Sequence, residues 1–143
     1  MTVVVGYTDR PESETALRRG TEEARLRGAP LHVIQTVTDT VSESPQRAMQ
    51  WAERLQQMRK RGDALEADLR DQGIDCHFQL LEDTASPPGS ALLGLARELG
   101  ADLIVIGIRR RSPVGKLVLG SVSQDVILGA DCAVLAVKPP VAD

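Results

Sequence analysis

Five short apolar runs are spaced along the chain, at Thr2–Tyr7, Leu31–Val37, Cys76–Leu81, Leu103–Ile106 and Ala133–Val137, and the segments between them carry apolar residues at helical spacing. Continuous apolar runs of this length are strands buried on both faces, and strands that alternate with helices become parallel neighbours joined by right-handed crossovers. The expected fold class is therefore α/β: one doubly wound five-stranded parallel sheet with helices on both faces. The 143 residues form one domain over 1–143, long enough for a substantial core and with no internal linker.

Local signals place the helices. Asp9, Pro11 and Ser13 open the first, Ala16, Leu17, Gly20 and Ala24 form its apolar face, and Gly28 with Pro30 ends it. A polar link through Thr38 to Ser44 leads to Pro45 and a long helix. Ala48, Trp51, Ala52, Leu55, Met58, Leu65 and Leu69 mark its apolar stripe, read as core packing, and Gly73 stops it. Cys76–Leu81 alternates polar and apolar residues as an edge strand does. A turn-rich loop from Asp83 to Gly89 follows, and Pro87-Pro88 opens a short helix with Leu92, Leu95 and Leu99 on its face. A last helix carries Val122, Val126 and Ile127, and Pro139-Pro140 ends the final strand.

Several function classes are disfavoured. Aromatic residues make up 2% of the chain and the formal net charge is -3, a poor basis for stacking bases or tracking a nucleic-acid backbone. The apolar runs are too short to span a bilayer, and Met1 leads straight into a strand rather than a signal peptide, so no membrane association and a cytoplasmic location are expected. Cys76 and Cys132 lack metal-ligand spacing and read as reduced thiols within strands. His32 and His77 also fall in strands, away from any pattern that would make a nucleophile–base pair. Gly115-Lys116 is not a Walker A motif, because position 110 is Arg and position 117 is Leu. The chain is not expected to be an enzyme.

One stretch carries chemistry. After the run ending at Ile106 come Gly107 and a loop with Arg109, Arg110, Arg111 and Lys116, and a helix opens at Gly120-Ser121. No acidic residue lies between Arg109 and Gln124. The free N–H groups and the dipole of a helix N-terminus favour phosphate oxygens, so strand, basic loop and helix start make an anion cradle. Ser121 and Ser123 fit two roles equally, helix caps or phosphate contacts. A parallel sheet binds its ligand beyond the strands' carboxyl ends, which here include Gly6 to Asp9 and Gly107 onward.

These residues resemble a known family. VVVGYTDRPESETAL near the start, then ELGADLIVIG and GKLVLGSVSQDVI with VLAVK toward the end, are similar to the universal stress protein family over nearly the whole chain. The resemblance implies strand order 3-2-1-4-5, an adenine-nucleotide alpha-hydrolase-like fold, and a stress-response regulator that binds ATP or AMP, with magnesium as an accompanying ion. It implies no catalysis beyond a very slow ATPase. The family's nucleotide-binding branch resembles G-x-x-G, nine residues, then G-[S/T]. This maps onto Gly107, position 110 and Gly120-Ser121, with Arg110 where the middle glycine belongs. By that mapping Gly107, Arg109, Arg110, Gly120, Ser121, Val122 and Ser123 hold phosphates and ribose, while Thr8, Asp9 and Val33 frame adenine. The family's aspartate falls on Thr8 without a gap and on Asp9 with a shift of one. The resemblance also implies a homodimer through the last strand, Ala133 to Val137, and a protein partner that reads the nucleotide-ordered loop. The alternative is a nucleotide-independent dimeric interaction protein of the same family, favoured by Arg110.

Overall fold

The computed structural model describes residues 1–8, 10–38, 44–82, 88–111 and 116–140, with backbone only at 110, 111 and 116–118. Strands β1 (Val3–Tyr7), β2 (Leu31–Val37), β3 (Cys76–Glu82), β4 (Leu103–Gly107) and β7 (Ala133–Val137) form one parallel sheet in the order β3-β2-β1-β4-β7. With β7 as its fifth strand, this is the order 3-2-1-4-5 that the resemblance implies. Four helices connect the strands: α1 (Pro11–Arg27), α2 (Pro45–Asp71), α3 (Ser90–Glu98) and α4 (Ser121–Gly129).

The continuous apolar runs become the central strands because both of their faces are covered. Val3, Val5, Leu31, Val33 and Val105 pack with Ala16, Leu17 and Ala24 of α1 on one face. Val4, Ile34, Ile104 and Ile106 pack with Leu92 and Ala96 of α3 and Val126 of α4 on the other. Each buried Val, Leu or Ile side chain among them contributes about 1.5–3 kcal/mol. Helix α1 ends as the sequence predicts: Gly28 takes a left-handed conformation, φ 59°, and its N–H reaches back to the last turn.

Three expectations need correction. The apolar stripe of α2 is only partly core: Met58 and Leu69 are buried, whereas Ala48 and Ala52 are exposed. The reason is length. The 27 residues of α2 extend about 40 Å, but the seven residues of β3 beneath it cover only about 23 Å. The first turns therefore overhang the sheet. The short helix opens at Ser90 with Gly89 as its N-cap, not at Pro87-Pro88; Pro88 lies in a turn and Pro87 outside the described residues.

The third correction concerns the basic loop, part of which is sheet. β5 (Arg109–Arg111) and β6 (Lys116–Val118) pair antiparallel, Arg109 with Val118, Arg110 with Leu117 and Arg111 with Lys116. The punctuation at Pro113 and Gly115 falls within 112–115, outside the described residues, as do 39–43 of the Thr38–Ser44 link and 83–87 of the Asp83–Gly89 loop. Cys76 is buried in β3, while Cys132 is only partly buried and stops one residue short of β7. His32 and His77 face each other across β2 and β3 with stacked rings, 4.8 Å between centroids. No helix among the described residues is long and apolar enough to cross a membrane.

Candidate functional site

The carboxyl ends of β1 and β4, adjacent in the sheet, open into a cavity of about 240 Å³. That is close to the lower end of small-molecule pockets. Two helix N-termini meet there. Arg10, Glu12 and Ser13 come from the start of α1, Gly120 to Ser123 from the start of α4, and Gly6, Thr36 and Ile106 from the strand ends.

Close backbone approach shapes the floor. A Cβ on Gly107 would stand 2.3 Å from the carbonyl oxygen of Glu12, so only glycine lets β4 run this close beneath the first turn of α1. Thr8 is held in the same corner. Its N–H donates to Ser13 Oγ at 2.8 Å, the two hydroxyls lie 2.8 Å apart, and the N–H of Arg10 donates to Thr8 Oγ1 at 3.3 Å. Ser13 is buried, so these bonds fix the turn from β1 into α1.

The two helix starts differ electrostatically. The first turn of α1 carries Glu12 and Glu14, and Tyr7 OH donates to Glu14 at 2.6 Å. The first turn of α4 has no acidic residue, and its N-cap, Gly120, supplies no side-chain hydrogen bond. Its free N–H groups amount to about half a positive charge facing the cavity. Arg109 adds a guanidinium beside them: its Nη2 lies 3.7 Å from where a Cβ of Gly120 would stand, and its Nε lies 3.3 Å from Glu12 Oε1. An anion would meet helix dipole and guanidinium together at the α4 end of the cavity.

Thr8, Gly107, Arg109, Gly120, Ser121, Val122 and Ser123 all line this cavity. Neither serine is the N-cap, since Ser121 is already the first residue of α4 and Gly120 precedes it, so of the two roles the sequence left open the N-cap is not theirs. Val33 is different. It is fully buried, third of the seven residues of β2, between Val5 and Phe78, and away from the cavity wall. The cavity opens at the carboxyl end of the strand, where Thr36 is the residue that lines it. Asp9 and the side chain of Arg110 lie outside the described residues.

Of the other lining residues, Glu12 and Thr36 carry no mark in the sequence, whereas Gly6 lies at the strand end where the ligand is expected. Ser13 was legible as a helix-start residue. For Glu12 and Thr36 no local signal existed, because an acidic first turn and a polar residue near the end of an apolar strand are ordinary features.

The comparisons with known proteins agree in direction. A family model described as the universal stress protein family matches residues 1–138. A universal stress protein of Mycolicibacterium smegmatis is 36% identical over 140 residues, covering 96% of this chain and 97% of that protein. Among solved structures, a universal stress protein from Archaeoglobus fulgidus superposes with TM-score 0.74 at 33% identity, covering 95% of this chain and 97% of the other. A structure of a universal stress protein from Archaeoglobus fulgidus in complex with dAMP gives TM-score 0.69 at 28% identity, covering 95% of this chain and 96% of the other.

Proposed function

The chain belongs to the universal stress protein family, and from that premise we propose that it is a non-catalytic, cytoplasmic regulator that binds an adenine nucleotide, ATP or AMP, at the ends of β1 and β4. The observation that carries this reading is the α4 end of the cavity, where an uncapped helix N-terminus free of acidic residues stands beside the Arg109 guanidinium. A phosphate placed there satisfies free N–H groups and a cation at once. A relative of the same fold binds dAMP, which supports the same ligand class. The residues fit the phosphate part of a nucleotide well. On the adenine side Thr8, Thr36 and the backbone of Gly6 supply a polar edge.

Binding rather than turnover is favoured because neither histidine lines the described cavity: His32 and His77 stack on each other across β2 and β3. Regulation would follow if nucleotide biases the β5–β6 hairpin between two arrangements, since Arg109 is its first residue and a partner would read its surface. We also propose a homodimer through β7. That strand ends the sheet, its residues Val134–Val137 are only partly buried, and the exposed Ile127 and Leu128 lie on the helix leading into it. Bare apolar edges are normally covered.

The second reading, a nucleotide-independent dimer, draws on Arg110. Where the family's motif has a glycine, the chain pairs Arg110 with Leu117 in a hairpin. One experiment separates the two readings. The protein is purified without added nucleotide and denatured, and the released supernatant is resolved by ion exchange; the folded protein is then titrated calorimetrically with ATP and AMP, with and without magnesium. Co-purified or titrated nucleotide near one per chain supports the first reading. The absence of both would establish the nucleotide-independent one.

A further inference from the structure

We propose that Glu12 is a built-in competitor for the phosphate site: its carboxylate holds Arg109, and an incoming phosphate binds by taking that guanidinium over. The inference rests on the nucleotide-binding reading above and adds to it a residue that sets affinity.

The geometry is specific. Glu12 Oε1 lies 3.3 Å from Arg109 Nε, and the Glu12 side chain is only 15% exposed while that of Arg109 is 48% exposed. Both residues are anchored by their backbones. Glu12 sits in the first turn of α1 directly over Gly107, and Arg109 is paired in β5 opposite Val118. Nε, which meets the Glu12 carboxylate, and Nη2, which lies beside the Gly120 cap of α4, belong to one edge of the guanidinium. A phosphate bound at that N-terminus within reach of Nη2 therefore meets the same edge that Glu12 occupies. Two like charges sharing one cation repel, and the arrangement favours exchange over sharing.

A purely structural role for the pair explains less. An ion pair with a half-exposed arginine adds little to stability. The neighbouring acid of the same turn, Glu14, is directed elsewhere and accepts from Tyr7 OH. Among the described residues only Glu12 brings a carboxylate to the cavity wall, where it opposes the charge the site is otherwise built to attract. The effect is to raise the threshold for binding, so that the site responds to nucleotide concentration rather than filling permanently.

The test is isothermal titration of the full chain, as wild type, Glu12→Gln, Arg109→Gln and the double variant, with AMP, ATP and inorganic pyrophosphate at low and high salt. Glu12→Gln is expected to bind each ligand about tenfold more tightly at low salt, with the gain shrinking as salt screens the carboxylate. The gain should vanish in the Arg109→Gln background, where there is no guanidinium to release. Equal or weaker binding by Glu12→Gln, or a gain that persists without Arg109, overturns the proposal. If AMP and ATP bind to neither wild type nor Glu12→Gln, the nucleotide reading fails; pyrophosphate then judges Glu12 alone, and its failure to bind any variant overturns the competitor as well. Should Glu12→Gln not fold, Glu12→Asp keeps the first-turn charge, shortens the reach to Arg109 and is expected to shift binding in the same direction.

Discussion

Replacing Gly107 by alanine adds one methyl group where the site has no room for it. The new Cβ would stand 2.3 Å from the carbonyl oxygen of Glu12, 2.8 Å from its carbonyl carbon and 3.1 Å from its Cβ. The two nearest atoms are backbone, so no rotamer change relieves the overlap. Restoring an ordinary contact of about 3.5 Å requires the first turn of α1 and the end of β4 to separate by roughly 1 Å. Overpacking of this kind costs about 1–3 kcal/mol. For a chain of this size that lowers Tm by about 3–12 °C.

The same glycine-to-alanine change at Gly94, inside α3 with nothing within 4 Å of the added Cβ, should instead stabilise the protein by about 0.5–1 kcal/mol. Urea unfolding followed by circular dichroism measures both, and the dependence on urea should match wild type if only the folded state is strained. Gly107→Ala should also weaken nucleotide binding, because the displaced turn carries Arg10 and Ser13 of the cavity wall. Two alanine variants of equal stability would refute the packing argument.

Two further outcomes follow from titrating groups. Burial, reinforced by the Glu66 carboxylate, pushes the Cys76 thiol up to about 11, and burial raises that of the partly buried Cys132. At pH 8 about one Cys76 in a thousand is thiolate. A thiol reagent should therefore label Cys132 first and Cys76 only as the chain unfolds; equal rates in the folded protein would contradict this. Burial and the adjacent His77 ring lower the pKa of His32, against the opposing pull of Asp75, which itself lies 2.9 Å from His77. A folded value below the unfolded one means a stabilising contribution that is whole above pH about 6.5 and is lost as pH falls through the folded value. Thermal melts from pH 7 to 5 should decline less steeply for His32→Gln than for wild type, and identical profiles would remove His32 from the account.

What the sequence determined by itself was everything that depends on near neighbours along the chain. Continuous apolar runs mark strands covered on both faces and period-3.6 patterning marks a helix face, so Thr2–Tyr7, Leu31–Val37 and Leu103–Ile106 were legible as strands and the helix after Pro11 from a few residues each. The glycines at 107 and 120, which line the cavity, were legible as the two ends of a basic stretch between a strand and a helix start, and the strand order came from resemblance. Tertiary structure decided what distance along the chain hides. The overhang of α2 depends on the length of β3, a different element. Val33 was displaced from the site by its depth in β2, which strand patterning does not measure, whereas Thr36 reached the cavity because it is near the strand's carboxyl end. Glu12 and Arg109 are far apart in sequence, and only the adjacency of β1 and β4 brings the first turn of α1 over the end of β4. Local pattern fixes which face is buried; which residues meet across the sheet is set by long-range packing that no short window contains.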